Sequence, residues 1–142
     1  MKGFTLIELS LVIGAAIIIA VFTLPLGIKF FQTQALDETA GDIQGILRRA
    51  QNQAVFQKSD SSFGVKFLSD SYILFQGSSY NSRTQGADEE FILSSTIETS
   101  GIDEVVFEKM TGIPNSTGTI KVTSGSRNQI ISINIQGKIE RE

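Results

Sequence analysis

Two hydrophobic patterns divide the first half of this chain. From Leu9 to Ile28 no side chain is charged. At about 1.5 Å of rise per residue the run makes roughly 30 Å of helix, the thickness of a bilayer's hydrocarbon core, and predicts a membrane-spanning segment over about 6–28. After Lys29 the apolar residues thin to a stripe. Leu36, Ala40, Ile43, Leu47, Ala50 and Ala54 recur at spacings of four and three, which places them on one face of a helix. Asp37, Asp42, Arg48 and Arg49 are left for water. The two patterns predict a single long helix over 4–57, transmembrane over about 6–28 and amphipathic over about 30–57. The stripe is expected to pack on the chain's own folded domain, because its repeat is too short for an intermolecular coiled coil.

Pro25 and Gly27 form a candidate helix break, since proline lacks an N–H and its ring crowds the carbonyl of Val21. Gly41 and Gly45 weaken the amphipathic part. From Ser59 the period changes from helical to alternating. Strands are predicted at Phe63–Leu68, Tyr72–Gln76, Glu90–Ser94, Glu104–Lys109, Gly118–Thr123, Gln129–Ile135 and Lys138–Arg141. Ile131, Ile133 and Ile135 alternate with Ser132 and Asn134, the pattern of a half-buried strand. Ser124–Asn128 reads as a hairpin loop and Ser78–Asp88 as a mobile polar loop. No segment after residue 57 reads as a second long helix. The fold class is α+β: a long N-terminal helix packed on an antiparallel β-sheet domain over 58–142.

Composition narrows the chemistry. The chain has 142 residues, a net charge of −3, and neither cysteine nor histidine. Thiol nucleophiles, imidazole metal sites, His-based triads and disulfides are therefore excluded. No phosphate-binding glycine loop or paired catalytic carboxylates stand out, so the chain does not read as an enzyme and no cofactor is expected. Asp88-Glu89-Glu90, with Asp60 and Asp70, lacks the ligand spacing of a calcium loop and reads as a solvated acidic stretch, so no metal is expected. Arg127, Lys138 and Arg141 are candidate nucleic-acid contacts, but three cations beside Glu140 and Glu142 make a poor phosphate track. Ordinary charged strand edges are the favoured reading, and DNA is the lesser candidate partner.

One residue does not fit a plain membrane anchor. Glu8 sits at the head of the apolar run, where a carboxylate is costly and marks a functional site by default. A secretory signal peptide does not explain it, since the run is too long and no Ala-x-Ala site follows. Lys2-Gly3-Phe4-Thr5-Leu6-Ile7-Glu8-Leu9 resembles the processing motif of type IV prepilins and pseudopilins. The resemblance implies a leader of residues 1–3, cleavage by prepilin peptidase between Gly3 and Phe4, N-methylation of Phe4, and a role in filament assembly for Glu8. Pro25 falls where that family often has a helix-breaking proline. Further on, Val106-Phe107, Gly112, Gly118-Thr119-Ile120, Ile131-Ser132-Ile133 and Gly137-Lys138-Ile139 are similar to the closing pattern of the H-type minor pseudopilins and related minor pilins (the GspH/FimT group).

That resemblance implies a structural subunit of a type IV pilus-like or type II secretion pseudopilus filament. Its partners would be other pilin or pseudopilin subunits, prepilin peptidase, the inner-membrane assembly platform and membrane lipid. It would sit in the bacterial inner membrane as a single-pass protein, with the β domain outside the cytoplasm, before joining an extracytoplasmic filament. Two alternatives stand beside it: a filament-tip minor pilin that binds DNA during uptake, and a membrane-anchored β domain that does not polymerise.

Overall fold

The computed structural model describes residues 3, 5–56 and 60–142, with the side chains of 23–29 excepted. Helix α1 runs from Leu6 to Val55 and its backbone is helical through positions 25 and 27. The side chain of Pro25 lies outside the described residues, as do Phe4 and Gln57 of the expected helix, and Phe56 caps the helix rather than continuing it. Eight strands follow: β1 (Phe63–Phe67), β2 (Ser71–Gln76), β3 (Glu89–Ile92), β4 (Glu98–Gly101), β5 (Glu104–Phe107), β6 (Gly118–Ser124), β7 (Arg127–Ile133) and β8 (Ile139–Arg141). They form two antiparallel four-stranded sheets, ordered β3-β2-β1-β5 and β4-β6-β7-β8.

The core lies where the C-terminal half of α1 meets both sheets. The stripe Leu36, Ala40, Ile43, Leu47, Ala50 and Ala54 is buried against Val65, Leu74, Val105 and Phe107 of the first sheet and Ile120, Val122, Ile131 and Ile133 of the second. Small alanines between the large residues let the helix approach two sheets at once. β2 is buried on both faces, because Ile73 and Phe75 pack with Val106 on the side away from the helix, under Leu68 and Tyr80. This explains the unbroken apolar run Tyr72-Ile73-Leu74-Phe75.

Four local expectations need correction. The strands number eight, and β4 was not foreseen, because Glu98-Thr99-Ser100-Gly101 shows no apolar alternation at the sheet's edge. β7 ends at Ile133, and Ile135 is 73% exposed rather than in register with Ile131 and Ile133. Asn134 turns the chain there: its Oδ1 accepts from the N–H groups of Gln136 and Lys138, and its carbonyl accepts from Gly137 N–H. The β6–β7 loop is only Gly125-Ser126 between the paired Ser124 and Arg127. Gly125 has φ 58°, where a type II′ turn takes glycine.

The segment 78–88 is likewise built rather than loose. It carries two short 3-10 turns, Tyr80–Ser82 and Gln85–Ala87. Tyr80 N–H donates to Glu104, and Arg83 lies 3.7 Å over the Tyr80 ring while its Nε donates to Asp88 at 2.7 Å.

Among the described residues no helix is long and apolar enough to cross a membrane. The described side chains of the apolar run stop at Phe22, and those of its last six residues, 23–28, lie outside.

Candidate functional site: the head of the helix and the groove beside its last strand

The residues singled out from the sequence fall into three places. Gly3 is exposed, and a Cβ built on it meets nothing within 4 Å. The expected cleavage partner and methylation site, Phe4, lies outside the described residues. Thr5 is the N-cap of α1, with φ −80° and ψ 153°, and its Oγ1 accepts from Glu8 N–H at 3.3 Å. Glu8 is thus an exposed carboxylate in the first turn, where the positive end of the helix dipole favours it. Thr5 was not singled out from the sequence, although Thr5-x-x-Glu8 is the spacing of a capping box.

The apolar side chains behind Glu8 stand open. Leu6, Ile7, Leu9, Leu11, Val12, Ile13, Ile17–Ile19, Val21 and Phe22 are all more than half exposed, as are Phe30 and Phe31 beyond the run. A helix that presents apolar residues around its whole circumference is one that something else must enclose.

The basic candidates do not form one patch. Lys138 and Arg141 line a groove of about 560 Å³ between α1 and β8, together with Gln44, Arg48, Gln51, Ile139 and Glu140. Lys138 Nζ pairs with Glu140 at 2.6 Å, and Arg141 donates to the carbonyl of Asp37 at 3.1 Å. Arg127 lies elsewhere, in a cleft of about 380 Å³ between the β6–β7 hairpin and Thr33, Leu36 and Asp37.

The groove beside β8 holds polar residues of the helix that the sequence left for water or did not mark. Gln44 Nε2 and Arg48 each donate to the carbonyl of Ile139 at 3.3 Å. These bonds satisfy a carbonyl on the strand edge that β7 does not reach. Gln51 Nε2 donates both to Gly112 O, at 3.1 Å, and to Gly137 O, at 2.9 Å. Gly137 has φ 80°, and a Cβ there would stand 2.8 Å from Gly112 O and within contact of Gln51 Nε2. Only glycine admits this approach.

Of the acidic residues, Glu90 and Asp70 are exposed as expected, whereas Asp88, Glu89 and Asp60 are held in ion pairs. Asp88 pairs with Arg83, and Glu89 in β3 makes a two-pronged pair with Arg49 of α1, at 2.8 and 2.6 Å. Asp60, at φ 52°, pairs with Lys109. Among the described residues no three His, Cys, Asp or Glu side chains are placed to hold a metal ion.

Tyr72 stacks on Phe91 at 5.1 Å beside Gly41, Asp42, Gly45 and Ile46 of the helix. Burial, and secondarily the Asp42 carboxylate, push its hydroxyl pKa up to about 12. These groups build a wall and latches.

Compared with models of protein families, with curated proteins and with solved structures, the chain gave no match.

Proposed function

We propose that the chain is a structural subunit of a type IV pilus-like or type II secretion pseudopilus filament, of the minor pilin or pseudopilin kind. Prepilin peptidase cuts it between Gly3 and Phe4, Phe4 is N-methylated, and the subunit assembles through α1. The fold class supplies the coarse frame: a helix whose second half packs on an antiparallel β domain. One observation carries the reading further. Along a single helix the apolar residues of 6–22 are exposed, whereas those of 36–54 are buried by the domain. The first half is therefore left for another apolar environment, the bilayer in the precursor and neighbouring helices in the filament. On this reading the β domain lies outside the cytoplasm, and the chain performs no catalysis.

Glu8 supplies the assembly logic. A carboxylate among apolar groups is stabilised by a nearby opposite charge, and cleavage creates one, the amino group of Phe4. Its pairing within one helix would be closed and local. Its pairing between successive subunits would be heterologous and would extend into an open filament. The DNA-binding alternative gains nothing from the basic residues, because Lys138 and Arg141 are engaged and Arg127 lines a separate cleft.

Mass spectrometry of the protein from a host with the peptidase is expected to find a chain that begins at N-methyl-Phe4, and Gly3→Arg is expected to block the cut. A mature chain that retains Gly3 in such a host overturns the reading. Glu8→Val is expected to insert and be cleaved normally, while its incorporation into filaments, read by crosslinking of neighbouring N-termini, falls sharply.

A further inference from the structure

We infer that the tip of the β6–β7 hairpin, Ser126 and Arg127, is a membrane-surface contact that binds the phosphate of anionic lipid headgroups. The inference rests on the membrane-anchoring part of the proposed function and adds a partner for the globular domain.

Three observations lead to it. The first is level. β7 lies along α1 so that Gln129 meets Asp37 and the turn at Gly137 meets Gln51. The hairpin tip therefore points toward the helix's N-terminal half, and Ser126 and Arg127 share a cleft with Thr33. Thr33 is five residues past Ile28, the end of the charge-free run. Five residues advance the helix by about 7.5 Å. The headgroup layer adds about 5–7 Å to each side of the hydrocarbon core. A span that ends at Ile28 thus puts the tip at the headgroups. Phe30 and Phe31, both exposed, occupy the intervening turn, where aromatic rings favour the interface.

The second observation is charge. Among the described residues every arginine and lysine except Lys121 and Arg127 donates to a carboxylate or a backbone carbonyl. Both exceptions are on this hairpin, but they differ in place. Lys121 is paired in register with Ile130, away from the tip, and alternates with the buried Ile120 and Val122, so it faces away from the helix. Arg127 stands at the tip, exposed, with its guanidinium donors unused. The third observation is the cleft beside it, about 380 Å³ and lined chiefly by polar groups. The Asp37 carboxylate opposes an anion there, but it lies one turn beyond Thr33 and its Oδ1 already accepts from Gln129 at 2.7 Å. A guanidinium above an open polar cleft offers paired N–H donors in the geometry that phosphate accepts.

The test uses the full chain in vesicles. It has no cysteine, so Ser126→Cys carries a single environment-sensitive fluorophore, and Ile13→Cys carries the same label as a report of insertion. Protection from a neutral water-soluble quencher is measured in zwitterionic vesicles and in vesicles with anionic phospholipid. Expected is a protected Ile13 label in both, and a Ser126 label protected only with anionic lipid. Arg127→Ala should shift the tip about fivefold toward solvent, the weight of one cation at an anionic surface, and Lys121→Ala should not. Melting of both variants should match the parent, since neither side chain is bonded.

A protected Ile13 label with an unprotected Ser126 label overturns this inference and leaves the anchor standing. An unprotected Ile13 label overturns the anchor reading and this inference together. Protection that ignores lipid charge, or falls equally with Lys121→Ala, also overturns it. So does a Ser126 response to inorganic phosphate over zwitterionic vesicles, which reassigns the cleft to free phosphate.

Discussion

The two halves of α1 form one continuous helix, and their apolar residues have opposite surroundings. Ile17–Ile19 are more than half exposed, whereas Ile43 and Leu47, seven turns further on, are wholly buried. The difference is one of pattern. Around residues 9–22 apolar side chains cover the whole circumference, and no single domain face could bury them all. From Leu36 they keep to one stripe, which two sheets cover completely. A helix can thus be stable in one half by its own domain and depend in the other on its environment.

The strongest way to break this comparison is to change one side chain in each half. Leu47→Ala removes a wholly buried side chain and is expected to cost about 2–5 kcal/mol in the domain's denaturant-melting curve. Ile18→Arg is expected to leave that curve within about 0.5 kcal/mol, because no domain residue packs there. In membrane insertion the order reverses, with Ile18→Arg costing about 2.5–3.5 kcal/mol near the span's centre and Leu47→Ala nothing. An unchanged melting curve for Leu47→Ala would mean that the stripe is held by something other than the domain.

A smaller effect is expected at the latch that fastens the covered half. Gly137→Ala drives a Cβ into Gln51 and Gly112 and holds alanine at φ 80°. Chemical denaturation should show a loss of about 1–3 kcal/mol. Gln51→Ala, which leaves two carbonyls without their donor, should lose a similar amount, and the double variant less than the sum, because the residues share one contact.

The smallest effect sharpens the comparison through pH. Tyr72, packed against the covered half, has its pKa raised to about 12. The unfolded chain's tyrosine ionises near 10. The folded state therefore holds the proton that the unfolded state has lost. The contribution is fully present below pH 10 and falls away as pH climbs toward 12. A titration followed by tyrosinate absorbance should find this ionisation late, and Tyr72→Phe should flatten the alkaline loss of stability.

Much of this architecture was legible, and the reasons are local. The stripe from Leu36 to Ala54 announced itself because a helix face repeats every three or four residues. Alternation likewise marked seven of the strands. What alternation specifies is a buried face, not the partner that buries it, so the division into two sheets was not readable. β4 escaped because an edge strand of Glu, Thr, Ser and Gly needs no apolar face. Ile135 misled because its alternation continues past the point where Asn134 turns the backbone. At the candidate sites the motif around Gly3 and Glu8 stood out, and the cap at Thr5 was encoded in the same spacing. The functions of Gln44, Arg48 and Gln51 had no local signal, since their partners lie 61 to 95 residues away.

Those same long reaches put the helix on a clock. Chains are made at roughly 5–20 residues per second. The carbonyl of Gly137, which Gln51 grips, is 86 residues downstream of it. The helix therefore waits roughly 4–17 s after Gln51 is made before this latch exists. Until the second sheet is made, Leu36, Ile43 and Leu47 lack part of their cover, and the chain is most open to aggregation and proteolysis. An early contact of the neighbouring apolar run with a membrane would hold the chain in place while the two sheets arrive.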